Sequence, residues 1–104
     1  MVAATLRSAL IAAESAWSQG LTKSKCIECA TLVVTSRKED TLALGLQVEM
    51  RLDYIQMNYA DSFEVLESDV TKGSELVILS GALYVDKTRL IDNILLGDAE
   101  KILQ

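Results

Sequence analysis

The chain has 104 residues, half of them hydrophobic, with ten Lys and Arg against fifteen Asp and Glu and a formal net charge of −5. That length supports one domain with one compact core. The acidic balance, and cations so scattered that no run exceeds Arg37-Lys38, exclude the basic stripe of a nucleic-acid surface.

Residues 2–18 predict the first helix. Val2, Leu6, Ala9, Leu10, Ala13, Ala16 and Trp17 recur at i, i+3, i+4, i+7 spacing, with Arg7, Glu14 and Ser18 on the opposite side. Gly20 is the expected terminator, and Trp17 a core or rim anchor. Arg7 and Glu14 interrupt the apolar character, and nothing in the chain approaches the about 18 consecutive apolar residues of a membrane span. The start also lacks the basic region and cleavage site of a signal peptide. Two cysteines three residues apart do not make a secreted disulfide framework. A cytoplasmic protein is therefore expected.

Thr22 or Ser24 caps a second helix with Ile27, Ala30, Val33 and Val34 as its buried stripe. Lys23 and Lys25 oppose the dipole at its start, and the β-branched cluster Thr31, Val33, Val34, Thr35 weakens it, so its end is placed near Ser36. Arg37-Lys38-Glu39-Asp40 then reads as a solvated break or a helix restart. Residues 41–46 admit one more helical turn or a loop, with Gly45 marking an ending nearby.

Val48, Met50, Leu52 and Tyr54 alternate with Glu49, Arg51 and Asp53, the period-two signature of a strand. Beyond Tyr54 the face preference swaps, with Ile55 and Met57 on one side and Gln56 and Asn58 on the other. Residues 60–68 predict a turn with a short helical piece capped by Asp61 or Ser62, and Lys72-Gly73 a further turn. Residues 75–85 and 89–96 predict a β-hairpin. It lacks an Asn-Gly or Asp-Gly pair, so a loop of about three to five residues around Asp86-Lys87-Thr88-Arg89 is expected. Residues 98–104 are expected to fray.

The predicted fold is α+β, in two layers: a small three-stranded antiparallel sheet with helices packed on one face, in the order α-α-β-short α-β-β. The second sheet face would then carry Ile55, Met57 and hairpin residues, an apolar patch that points to an interface and to a homo-oligomer.

Residues that could carry chemistry are few. With no histidine in the chain, neither a Ser-His-Asp nor a Cys-His pair can be assembled, and there is no GxGxxG or Walker A loop. Cys26-Ile27-Glu28-Cys29 supplies two ligands where tetrahedral zinc needs four, and it follows a helix rather than the strand that precedes a thioredoxin-type pair. It reads as two helical thiols packed inside or half buried. Asp53 and Asp92 each sit within a strand and need a partner. Arg51 is the candidate for Asp53, and Arg89 or Lys87 for Asp92, with a ligand or neighbouring-domain contact as the alternative use. No catalytic residue and no metal site are expected.

Thr88-Arg89-Leu90-Ile91-Asp92-Asn93, at the start of the last strand, resembles the C-terminal signature of the pantoate–β-alanine ligases. Arg51-Leu52-Asp53-Tyr54-Ile55 resembles that family's Val-Asp-Tyr-Val strand. Asp61-Ser62-Phe63-Glu64-Val65-Leu66-Glu67 resembles its Asp-x-x-Thr-Leu-x-x turn, and residues 5–20 the helix that opens its C-terminal domain. Residues 21–49 are longer than the family pattern. Lys87 stands where the family has a small residue, and Asp86 where it often has Gly. The resemblance implies that residues 1–104 are a single domain, the C-terminal lid of a ligase whose N-terminal Rossmann-like domain, with its His-x-Gly-His motif, is absent here. It further implies an enzyme that condenses pantoate and β-alanine to pantothenate, a precursor of coenzyme A, with ATP and Mg, through a pantoyl-adenylate. The lid's partner would be the enzyme's own catalytic domain, and no cofactor is expected on this chain alone. Asp53, Tyr54, Arg89, Asp92 and Asn93 would be structural signature positions. Lys87, Thr88 and Arg89 would lie near the nucleotide. The competing reading is a non-catalytic α+β module that self-associates through its sheet.

Overall fold

Leu6, Ala9, Leu10, Ala13, Ala16 and Trp17 form one stripe of helix α1 (Thr5–Ser18), and all of them are buried. The computed structural model describes residues 4–97, so the expectations for Val2 and for residues 98–104 lie outside it. The helix ends as Gly20 dictates. Gly20 takes φ +87, its N–H bonds to the Trp17 carbonyl at 3.0 Å, and that of Leu21 to Ala16 at 3.1 Å. This double bond closes the last carbonyls of the helix.

Helix α2 (Lys23–Ala43) is capped by Thr22, whose hydroxyl accepts from the Lys25 N–H at 3.3 Å. Its first amides have partners outside the helix: Lys23 N–H donates to Val70 at 2.8 Å and Ser24 N–H to Ser68 at 3.0 Å. These contacts help a start that Lys23 and Lys25 disfavour. The helix does not stop near Ser36 but runs seven residues further, to Ala43. The threonines that argued for a break are accommodated by back-bonding, Thr31 Oγ1 to Ile27 O at 2.9 Å and Thr35 Oγ1 to Thr31 O at 3.1 Å. Gly45 (φ +72) closes the end with the same double bond as Gly20: Gly45 N–H to Leu42 and Leu46 N–H to Thr41.

Three strands follow, β1 (Met50–Tyr59), β2 (Val77–Val85) and β3 (Thr88–Leu96), in one antiparallel sheet of order β1-β2-β3. Both helices pack on one face, α1 over β2 and β3, α2 along β1. The short helical piece expected in residues 60–68 does not form. That segment turns and pairs along the free edge of β1, through Tyr59 N–H to Glu64 O at 2.9 Å and Leu66 N–H to Met57 O at 3.0 Å. Backbone groups that a helix would have satisfied internally are satisfied by the sheet.

The face swap after Tyr54 has a physical cause. The register of β1 against β2 slips between Leu52 and Tyr54, leaving Asp53 as the extra residue of a bulge. Before the bulge Met50 and Leu52 face the helices; after it Ile55, Met57 and Tyr59 do, opposite Gly81, Leu79 and Val77. Ile55 and Met57 are therefore not on the open face as expected. Met57 is fully buried.

The β2–β3 connection is tighter than the expected three to five residues. Val85 pairs with Thr88, so Asp86 and Lys87 alone make the turn. Asp86 adopts φ 53, the left-handed region that a two-residue hairpin demands and glycine usually supplies. The aspartate is held there by Glu49: its N–H donates to the Glu49 carbonyl at 2.7 Å, and its Oδ1 accepts from the Glu49 N–H at 3.0 Å.

Candidate functional site

The strand aspartates have different partners from those expected. Asp92 shares the inner parity of Leu90, Ile94 and Leu96 and pairs with Gly81 across the sheet. Gly81 lets α1 approach closely: a Cβ there would lie 2.9 Å from Ile55 Cδ1, 3.1 Å from Leu6 Cδ1 and 3.3 Å from Leu10 Cδ2. The same helix carries Arg7, which grips Asp92 with two bonds, Nε to Oδ2 at 3.0 Å and Nη2 to Oδ1 at 3.2 Å. The partner of Asp92 is thus neither Arg89 nor Lys87. A sequence signal existed, since Arg7 is the one cation of α1 and Asp92 falls on the apolar parity of its strand.

Asp53 is held by Arg89 rather than by Arg51. The guanidinium donates from Nε at 3.1 Å and from Nη2 at 2.9 Å to the same carboxylate oxygen. That hydrogen bond raises the Arg89 pKa above its ordinary value. Because the bulge turns both Asp53 and Tyr54 outward, Arg89 also lies 6.0 Å from the Tyr54 ring and 5.9 Å from the Tyr84 ring. Arg51 stacks on the other side of the row, 4.4 Å from the Tyr84 centroid, close enough for a cation–π contact. Arg51, Tyr84 and Arg89 are cross-strand neighbours. The outer face of the sheet thus carries an arginine–tyrosine cluster beside the hairpin turn. Sequence reading found Asp53, Tyr54 and Arg89 but missed Tyr84, whose role comes only from strand register.

Lys87 and Thr88 are exposed at the turn, and Lys87 makes no ion pair among the described residues. Asn93 lies exposed on the outer face, its N–H donating to Asp92 Oδ1 at 2.8 Å. A cavity of about 520 Å³ opens between the end of α2 and this turn, lined by Lys38, Leu42, Leu46, Val48, Glu49 and Asp86 among others. A smaller one, about 270 Å³, sits at the opposite end, beside Trp17 and Lys72.

Cys26 is buried and Cys29 half-buried, both as free thiols, as expected from their helical spacing. Burial, with a smaller contribution from Cys29, pushes the Cys26 pKa up to about 11, so it is a poor nucleophile. Among the described residues no group of three His, Cys, Asp or Glu side chains could hold a metal ion. No helix among them is long and apolar enough to cross a membrane.

A family model described as pantoate-beta-alanine ligase matches residues 1–95. The chain belongs to the pantoate–β-alanine ligase family. No curated protein matches it. Among solved structures it is similar to the pantoate–β-alanine ligase (pantothenate synthetase) of Thermus thermophilus, at 22% identity and a TM-score of 0.60. The match covers 86% of this chain and 28% of that one. At this identity the likeness bears on the fold: two helices over a three-stranded antiparallel sheet. This member of the ligase family thus spans little more than a quarter of the length of that solved enzyme, and its sequence holds no histidine.

Proposed function

We propose that the chain is the C-terminal lid domain of a pantoate–β-alanine ligase. The enzyme condenses pantoate and β-alanine to pantothenate at the expense of ATP, through a pantoyl-adenylate, releasing pyrophosphate and AMP. The observation that carries this reading is the family match over residues 1–95 in a chain only about a quarter as long as its structural neighbour. The residue inventory agrees, because the chain has no histidine and no GxGxxG or Walker A loop. Catalysis, ATP and its Mg belong to the N-terminal domain of the enzyme, and this chain alone is inactive.

A lid contributes by exclusion and placement. Covering the adenylate keeps out water that would hydrolyse it, so the β-alanine amine meets the acyl carbon first. A rigid fold suits that role. Helices α1 and α2 and the sheet share one core, and the Arg7–Asp92 pair fixes α1 to β3. Of the three turn residues proposed to lie near the nucleotide, Lys87 makes no ion pair among the described residues. Arg89 is committed to Asp53, and Thr88 offers a hydroxyl.

Pantothenate formation from pantoate, β-alanine and Mg-ATP tests the reading. The chain alone should yield none. Adding the catalytic portion of a family ligase, expressed separately, should raise product formation above that portion's own rate. A catalytic portion that binds the chain and gains nothing would sink the lid assignment.

A further inference from the structure

We propose that Asp92, held by Arg7, keeps the β3 edge of the sheet shut against the addition of a further strand. The inference does not rest on the ligase reading. A strand at the end of a sheet presents a row of unpaired N–H and C=O groups, on which an extended segment can continue the ladder. This sheet has two such ends. At β1 the chain covers its own edge. Segment 60–68 folds back there and bonds to Met57 and Tyr59, turning at Phe63, whose side chain is 70% exposed and whose backbone is held at φ 62. At β3 no segment among the described residues does the same.

In other respects β3 invites pairing. It is nine residues long and rich in Leu and Ile, and Ile91 and Leu95 on its outer parity are exposed. Long apolar edges are where proteins add strands and aggregate. The direction of its backbone groups follows from the hairpin. With Asp86 and Lys87 alone in the turn, Val85 and Thr88 exchange both ladder bonds, and so do the alternate pairs Leu83–Leu90, Gly81–Asp92 and Leu79–Ile94. The N–H groups of Ile91, Asn93 and Leu95 therefore point to the open side, with Asn93 in the middle of the three.

That middle group is already taken. The Asn93 N–H donates to Asp92 Oδ1 at 2.8 Å. The same oxygen accepts from Arg7 Nη2 at 3.2 Å, and the other carboxylate oxygen accepts from Arg7 Nε at 3.0 Å. The Asp92 side chain is 28% exposed, so it stands at the rim, within reach of both the helix layer and the edge. Because Arg7 belongs to α1, the helix fixes the direction of the carboxylate. The carboxylate in turn fills the place that a carbonyl of an incoming strand would need. Such a strand must break a charge-assisted hydrogen bond and bring its own carbonyl up against a negative oxygen. An inward-pointing charge is one of the ways by which sheet edges are kept from pairing. The ladder is interrupted at its centre, and only short stretches remain on either side.

Amide hydrogen exchange and peptide binding, both on the full chain, test this. In the wild type the Asn93 N–H should exchange at least about tenfold more slowly than those of Ile91 and Leu95, as a hydrogen bond to a charged acceptor gives. Asp92→Ala should abolish that difference. The incoming strand is a dye-labelled peptide of residues 77–85, the antiparallel partner of β3 in the fold, with a lysine tail for solubility. Its fluorescence anisotropy should stay flat with the wild type and rise with Asp92→Ala. Arg7→Ala leaves the carboxylate in place but unheld, so it should move both measurements in the same direction by a smaller factor. Circular dichroism shows which variants are folded, and if Asp92→Ala is not, Arg7→Ala decides. A wild-type Asn93 amide as fast as its two neighbours, a wild type that takes the peptide, or a folded variant that changes neither measurement overturns the proposal.

Discussion

The two faces of this sheet use an aspartate differently. On the inner face Asp92 is tied to Arg7, 85 positions away in sequence, and the bond joins sheet to helix. On the outer face Asp53 is tied to Arg89 and the bond joins strand to strand, leaving the surface open. The side chains are chemically alike; parity separates them. Even positions of β3 point at the helices, whereas the bulge at Asp53 turns it outward together with Tyr54. One face is therefore a packed core boundary and the other a surface built from arginine and tyrosine.

Substitutions in the two faces should differ most where burial is complete. Leu83→Ala, at a fully buried inner position, should cost about 3 kcal/mol in urea unfolding. Ile91→Ala, 61% exposed on the outer face, should cost less than about 0.5 kcal/mol. Equal losses would erase the distinction between the faces.

Gly81→Val should cost about 2 kcal/mol, because the new side chain enters space held by Ile55, Leu6 and Leu10. The same chemical melts measure it, and an unchanged midpoint would show that α1 does not approach the sheet closely.

High pH probes the helical layer. The Cys26 thiol ionises at about 11 in the folded chain against an ordinary 9.0, so burial favours its neutral form. The resulting stability is complete below pH 9 and lost as pH rises toward about 11, where only the unfolded chain has released the proton. Melting curves across that window should decline, and Cys26→Ala should remove this part of the slope. A slope identical in the variant would place the loss elsewhere.

Phe63→Gly should stabilise the fold by about 1 kcal/mol, by releasing the positive φ. A fall in melting temperature would mean that the ring is packed rather than displayed.

The smallest effects are those of the ion pairs. A double-mutant cycle on Arg7 and Asp92 should give a coupling below about 1 kcal/mol, since both side chains are partly exposed. The Asp53–Arg89 pair, on the open face with both side chains also partly exposed, should couple no more strongly. A larger coupling outside than inside would reverse the comparison.

The chain's local instructions were plain to read. The apolar stripe of α1 and its stop at Gly20 are each written within a few neighbouring residues, and each formed as the pattern dictates. The alternation in β1 was equally visible, as was the family signature from Thr88 to Asn93. The length of α2 is not legible from threonine propensity, because back-bonds satisfy the hydroxyls within the helix. The tight turn at Asp86 is not legible locally, because its left-handed backbone is enforced by Glu49, 37 residues earlier. The candidate site was half legible: Asp53, Tyr54 and Arg89 stood out, while Tyr84 had no pattern that joined it to the rest.

By itself, then, the sequence determined the two helices and three strands, the aliphatic core, the absence of histidine and the likeness to a ligase family, because these depend on composition and short-range periodicity. Tertiary structure alone decided which charges meet and which face is open. A one-residue bulge shifts the phase of everything after it, and ion-pair partners are chosen by cross-strand register and helix docking rather than by nearness along the chain.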